Sequence, residues 1–215
     1  MRISVLGSGV VGVTLANGLQ QVGHEVSVGS RSGGDVEGWH GRVGTFAELA
    51  ADGEVAVLCV KGAVAVGLVS TLGDALSGTI VLDTTNPIGP EAPTDGVLSW
   101  FVGPDESLLE RLQVAAPQAR FVKAFNSVGA GRMVQPRYAE GRPSMFICGD
   151  DTEARDLVAG LADELGWDVE DMGGAAAARA IEPLCRLWCI SGFTDGEWTH
   201  AFKVLHTDHQ ADSDD

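Results

Sequence analysis

Two hydrophobic rhythms take turns along this chain. Short apolar runs, such as Ile3, Val5 and Leu6 and later Val55-Ala56-Val57-Leu58-Cys59-Val60, suit strands. Stretches such as Val11, Leu15, Gly18 and Leu19 repeat every three or four residues and suit helices. Residues 3–6 thus predict a strand, a helix follows from Val10, and Glu25 to Gly29 predicts a second strand. A polar, glycine-rich stretch from Gly33 to Gly44 leads into a short helix over 46–50. The strand over 55–60 is apolar on both faces, as a central parallel strand is when helices cover both sides of its sheet. Helix 63–72, strand 79–83, helix 107–114, strand 120–124, strand 144–148, helix 152–165 and a short strand 167–170 continue the pattern. Such alternation predicts an α/β fold with a doubly wound, mostly parallel sheet. A helical tail runs from Ala175 to Phe202, with interruptions expected at Pro183 and Gly192. Its segment 181–190 is too apolar for a lone surface helix and should pack on the sheet or on a second subunit. The expected organisation is a main domain over 1–172, a helical extension over 173–206 and an acidic tail over 207–215.

The first strand-to-helix junction reads Gly7-Ser8-Gly9-Val10-Val11-Gly12. Gly7 suits a tight turn, Gly9 lets backbone approach a pyrophosphate, and Gly12 lets the helix lie close to the strand. A diphosphate can then rest on the free N–H groups and positive dipole end of the helix beginning at Val10. This is the dinucleotide fingerprint of a Rossmann-type fold. The end of the second strand decides which dinucleotide. An NAD site usually carries Asp or Glu about 20 residues beyond the glycines, but this strand ends in Ser30-Arg31-Ser32. A guanidinium can take a 2′-phosphate through paired, charge-assisted hydrogen bonds and stack on adenine, where a carboxylate would repel it. NADP(H) is the expected cofactor, with Asp35 and Glu37 the nearest acidic residues in sequence.

Open α/β sheets bind ligands at the carboxyl edge of their strands. That edge places Val60-Lys61, Asn86-Pro87 and Phe125-Asn126 at the candidate site. Asn86 and Asn126 are expected to hold the nicotinamide ribose or carboxamide, with Pro87 and Phe125 walling the ring. The irregular segment 88–102, with Pro90, Pro93 and Trp100-Phe101, is expected to form a lid or substrate wall. Arg179 and Glu182 lie three apart, close enough to pair with each other or to reach the crevice, and an ion pair on the tail helix is the favoured expectation; His200, His206 and His209 read as tail surface.

Size and charge narrow the function. At 215 residues there is room for one α/β core with a small appendage. The long all-helical second domain of β-hydroxyacid dehydrogenases, which share this kind of start, does not fit. A net charge of −16 argues against nucleic acid and anionic membranes as partners. NADP is itself an anion, so Arg31 and Lys61 must offset that field locally. No apolar run reaches the roughly 20 residues of a membrane span, and the first strand belongs to the fold rather than to a leader, so a cytoplasmic protein is expected. Cys59, Cys148, Cys185 and Cys189 lack metal-site spacing and read as small buried hydrophobes; no metal is expected.

Taken in order, several segments resemble the F420-dependent NADP oxidoreductase family. They are the Gly7–Gly12 turn, Gly29-Ser30-Arg31, Val60-Lys61, Asp83-Thr84-Thr85-Asn86-Pro87, Val122-Lys123-Ala124-Phe125-Asn126, Phe146-Ile147-Cys148-Gly149-Asp150-Asp151 and Ala178-Arg179-Ala180-Ile181-Glu182. That family includes NADPH:F420 oxidoreductases, and the reductase domain of STEAP metalloreductases is similar. The resemblance implies a Rossmann domain with a short C-terminal helical extension and NADP(H) along the carboxyl edge. It also implies hydride exchange with a flavin or deazaflavin, FMN, FAD or coenzyme F420, lying against the nicotinamide. Transfer between two stacked heterocycles needs no general acid, so no catalytic side chain is assigned. F420-reducing members carry a His-Thr pair where this chain has Phe125-Asn126, which brings it nearer the metalloreductase domains. A homodimer with no nucleic-acid or membrane partner is expected. Two other readings stay open, an imine reductase of the pyrroline-5-carboxylate reductase type and a non-catalytic NADP(H)-sensing protein.

Overall fold

The computed structural model describes residues 1–207. Its strands are β1 (Arg2–Leu6), β2 (Glu25–Ser30), β3 (Arg42–Thr45), β4 (Val55–Leu58), β5 (Ile80–Asp83), β6 (Arg120–Lys123), β7 (Ser144–Ile147) and β8 (Asp168–Asp171). Its helices are α1 (Val10–Gln21), α2 (Phe46–Ala50), α3 (Gly62–Leu72), α4 (Leu108–Ala115), α5 (Thr152–Glu164) and α6 (Ala178–Asp195). The main sheet has the order β3-β2-β1-β4-β5-β6, every pair parallel. The winding direction reverses at β1, so the connections leaving β1 and β4 part on opposite faces and open a crevice above their carboxyl ends.

Two apolar layers enclose this Rossmann-type sheet. On one face Leu15 and Leu19 of α1 and Val158 and Leu161 of α5 pack against Val5, Val57, Leu82 and Val122. On the other, Val69, Leu72, Leu109 and Leu112 meet Leu6, Leu58, Val81 and Phe121, joined by Ala178 and Ile181 of α6. The tail helix is therefore part of the second layer.

Several expectations need correction. Residues 33–44 do not stay irregular throughout: β3 forms at their end and adds an edge strand to β2. Its sequence, Arg-Val-Gly-Thr, is too short and polar to announce a strand, and the pairing comes from its neighbour. The strand expected over 55–60 stops at Leu58, leaving Cys59 and Val60 at the crevice. β7 and β8 make a separate parallel pair, tied to the main sheet through an antiparallel bridge between Lys123 and Cys148. Neither Pro183 nor Gly192 interrupts α6. Pro183 is exposed near the start of the helix, and Gly192 is where the Trp198 ring packs, 2.3 Å from where a Cβ would stand. The helix ends instead at Gly196, in the left-handed conformation (φ +74°). The chain then returns as a strap: Tyr138 Oη donates to Thr199 O, Trp188 Nε1 to His200 O and Ser144 N to Phe202 O. His200 is consequently stacked on Trp188 rather than free on the surface, whereas His206 is exposed beside Glu170. His209 and the acidic tail beyond Thr207 lie outside the described residues. Among the described residues no helix is long and apolar enough to cross a membrane.

Candidate functional site

The crevice above β1 and β4 has two halves that share Gly9, Cys59, Val60, Lys61 and Ala63 as walls. One half, of about 810 Å³, runs toward β2 past Gly7, Ser8, Arg31, Phe46, Leu68 and Thr71. The other, of about 790 Å³, runs toward β5 past Val10, Val11, Thr84, Thr85, Asn86, Ile88, Pro90 and Phe101.

The glycines divide by role. A Cβ on Gly7, which sits at φ +153°, would stand 2.2 Å from Cys59 O; on Gly12 it would stand 2.0 Å from Gly7 O. Those two are required by backbone packing. A Cβ on Gly9 would meet no atom within 4 Å and would only intrude on the crevice. The fold itself has no need of glycine there, whereas a close-lying ligand has.

Helix capping points to the same place. Thr45 caps α2, Ser107 caps α4 and Asp151 caps α5 with side-chain oxygens. α6 has no side-chain cap but continues directly from a turn over Ala175–Ala177, and the two helices that begin at the crevice, α1 at Gly9 and α3 at Lys61, have none either. Their leading N–H groups and dipole ends are left for an anion. Arg31 lines the far end of the first half, and the turn behind it is held by Gly33 N donating to Ser30 Oγ (3.0 Å) and Gly34 N to Ser32 Oγ (3.4 Å). Neither Asp35 nor Glu37 lines either half. Uncapped amides in the middle and a guanidinium at the outer end fit the diphosphate and 2′-phosphate of NADP.

Comparison with known proteins agrees. Residues 2–87 match the family model for coenzyme F420-dependent NADP oxidoreductases. A solved structure of a candidate F420-dependent NADP-reductase from Arthrobacter sp. FB24 superposes with a TM-score of 0.86 at 32% identity, covering 95% of this chain and 99% of that one. The chain belongs to this family. With membership comes its class of chemistry, NADP-dependent oxidation and reduction. F420-dependent NADP reductase of Methanothermobacter marburgensis is 28% identical over 87% of this chain and 90% of its own length. Metalloreductase STEAP3 of Rattus norvegicus is 30% identical over 85% of this chain, which spans only 36% of that protein.

Three of the family-like segments meet beneath the second half of the cleft, in a buried ion cluster invisible in the sequence. Lys123 Nζ lies 2.5 Å from Asp83 Oδ2, 2.9 Å from Glu182 Oε1 and 2.7 Å from Thr85 O, all three charged side chains being buried. Burial opposes the charge on Lys123, but the two carboxylates outweigh it and hold the pKa above the usual lysine value. Glu182 also accepts from Leu108 N (2.9 Å) and Leu109 N (3.0 Å), capping α4 from a distant helix. Arg179 turns outward to Glu110 (2.6 Å). The Arg179–Glu182 pair expected from their spacing is therefore absent, because each residue faces a better partner on a different element.

The other expected residues are not all brought together. Asn86 lines the second half, its Nδ2 donating to Asn126 O (2.8 Å). Asn126 is buried behind it, donating to Asn86 Oδ1 (3.1 Å) and Ile181 O (3.1 Å). Pro87 is buried, and Phe125, in the left-handed conformation (φ +58°), turns its ring into the core against Trp167. Neither reaches the cleft, so the wall expected of them is made by Ile88, Pro90 and Phe101 of the following segment. Gly62 was not singled out by motif; its Cβ would stand 1.9 Å from Asn86 O. Burial pushes the Cys59 thiol on the floor up to about 12, partly offset by Thr84 Oγ1 at 3.7 Å, so it stays a neutral wall. Among the described residues no cluster of His, Cys, Asp or Glu could hold a metal ion.

Proposed function

We propose that this oxidoreductase passes hydride between NADPH and a flavin or deazaflavin held in the same cleft. The observation that carries the reading is Gly9: an open backbone position at an uncapped helix start, with Arg31 at one end of the cleft and an apolar chamber at the other. In this reading α1 and α3 seat the diphosphate, Lys61 and Arg31 neutralise phosphate, and Asn86 faces the nicotinamide end. Bound NADPH supplies a hydride, and solvent supplies the proton that completes reduction of the acceptor. Val10, Val11, Ile88 and Phe101 exclude water and align the two rings, which is the protein's share of such a reaction. The apolar chamber has the wall area for a second flat ring, and no acid or base lines it except Lys61.

The test is NADPH oxidation by the whole chain in the presence of riboflavin, FMN, FAD or F420. Slow oxidation alone and rapid oxidation with at least one of these is expected. Tight NADPH binding with no transfer to any of them would overturn the reading, as would flavin-free turnover of cyclic imines.

A further inference from the structure

We infer that Asn126 is a positioning residue for the nicotinamide, acting through Asn86 without touching the nucleotide. The inference rests on the proposed placement of the nicotinamide beside Asn86. Asn86 lines the β5 half of the cleft, and Asn126 grips its side-chain amide from behind at both ends. Asn86 Nδ2 donates to Asn126 O (2.8 Å), and Asn86 Oδ1 accepts from Asn126 Nδ2 (3.1 Å). The grip fixes the sense of the amide, because turning it over would set oxygen against oxygen and N–H against N–H. One N–H and one oxygen lone pair of Asn86 are left for a ligand, and the carboxamide of nicotinamide carries the matching acceptor and donor. The backbone of Asn86 is held as firmly. Its carbonyl oxygen accepts from Ile88 N (2.9 Å) and lies 1.9 Å from where a Cβ on Gly62 would stand.

Holding Asn126 in this place costs stability. Phe125, just before it, sits at φ +58°, a conformation that a bulky side chain rarely adopts, and that turn brings Asn126 from the end of β6 to Asn86. Asn126 is buried, and its Oδ1 has no hydrogen-bond partner among the described residues. Both costs follow from aiming the Nδ2 donors at Asn86 Oδ1 and at Ile181 O (3.1 Å). Strain and unpaired polar atoms of this kind gather where a site needs a group held still. Ile181 is followed by Glu182, whose Oε1 lies 2.9 Å from Lys123 Nζ, so the buried ion cluster anchors the turn of α6 that steadies Asn126.

The test compares, by calorimetry on the whole chain, NADPH with 2′-phospho-ADP-ribose, which is NADP without its nicotinamide. Asn126→Ala should weaken NADPH binding by about fivefold and leave 2′-phospho-ADP-ribose within about twofold of the unaltered protein. Asn126→Ser keeps a hydroxyl for Ile181 O but is too short to reach Asn86, and should give the same split. Asn86→Ala should lose at least as much, and the double variant no more than Asn86→Ala alone, since one residue acts through the other. The inference is overturned if the Asn126 variants weaken both ligands alike, if they leave NADPH affinity intact, or if the two single losses multiply in the double variant. It is equally overturned if the unaltered protein binds both ligands with the same affinity. No acceptor enters these measurements, so failure of hydride transfer to a flavin shows separately, as bound NADPH that is not oxidised.

Discussion

Arg31 is the residue on which cofactor choice turns. Several surface arginines are engaged, Arg42 with Asp52, Arg111 with Glu106 and Arg179 with Glu110, whereas Arg31 is one of those with no carboxylate partner among the described residues, and it faces the cleft. Replacing it with alanine is expected to weaken NADPH binding by about 1–3 kcal/mol and NADH binding far less, read by calorimetry. The glycines give a sharper contrast. Gly9→Ala should leave the melting temperature nearly unchanged while weakening NADPH binding by about tenfold or more (~1.4 kcal/mol). Gly12→Ala, with its Cβ on Gly7 O, should destabilise the fold by roughly 1–3 kcal/mol or more. Thermal melts with and without nucleotide separate the two; equal loss of stability in both would contradict the assignment. These residues were legible in the sequence because local geometry dictates them: a strand, a tight turn and a helix leave few residue types able to serve. Phe125 was not legible, since its direction depends on a left-handed turn that nothing in an apolar run announces.

At the scale of elements, Asp83, Lys123 and Glu182 tie β5, β6 and α6 together and hold the start of α4. A buried ion cluster is weak support when compared with apolar packing, but removing one member strands the others. Lys123→Met leaves two carboxylates facing each other away from water, and a loss of about 3–5 kcal/mol in urea unfolding is expected, with the denaturant slope unchanged. A loss below 1 kcal/mol would show that the charges are not paired as described. No sequence period could reveal this cluster, because its members come from three segments and only tertiary packing brings them within reach. The same reason misdirected Arg179 and Glu182: helical spacing offered them to each other, and α4 and β6 offered more. The strand and helix alternation was readable throughout the main sheet, where each β4- or β5-like run carries its own apolar signature. It faltered at β3, whose strand character is borrowed from β2, and at α6, where Pro183 sits near the helix start and Gly192 serves the Trp198 ring.

The whole molecule closes on itself at its last described residues. After Gly196 the chain runs back across α6 to β7, pinned through Thr199, His200 and Phe202, with Lys203 Nζ 2.6 Å from Asp168. Trp188, Cys185, Cys189 and Leu98 form a small apolar island that Phe202 and Trp100 help cover. That return path does for the outer face of the fold what α1 to α5 do for its sheet: it keeps greasy surface and an open strand border away from other molecules. A protease cut just after Trp198 would spare the nucleotide crevice entirely, yet the clipped protein would carry a bare tryptophan patch beside an unguarded β7. Clumping, rather than inactivity, is the fate such a nick prepares.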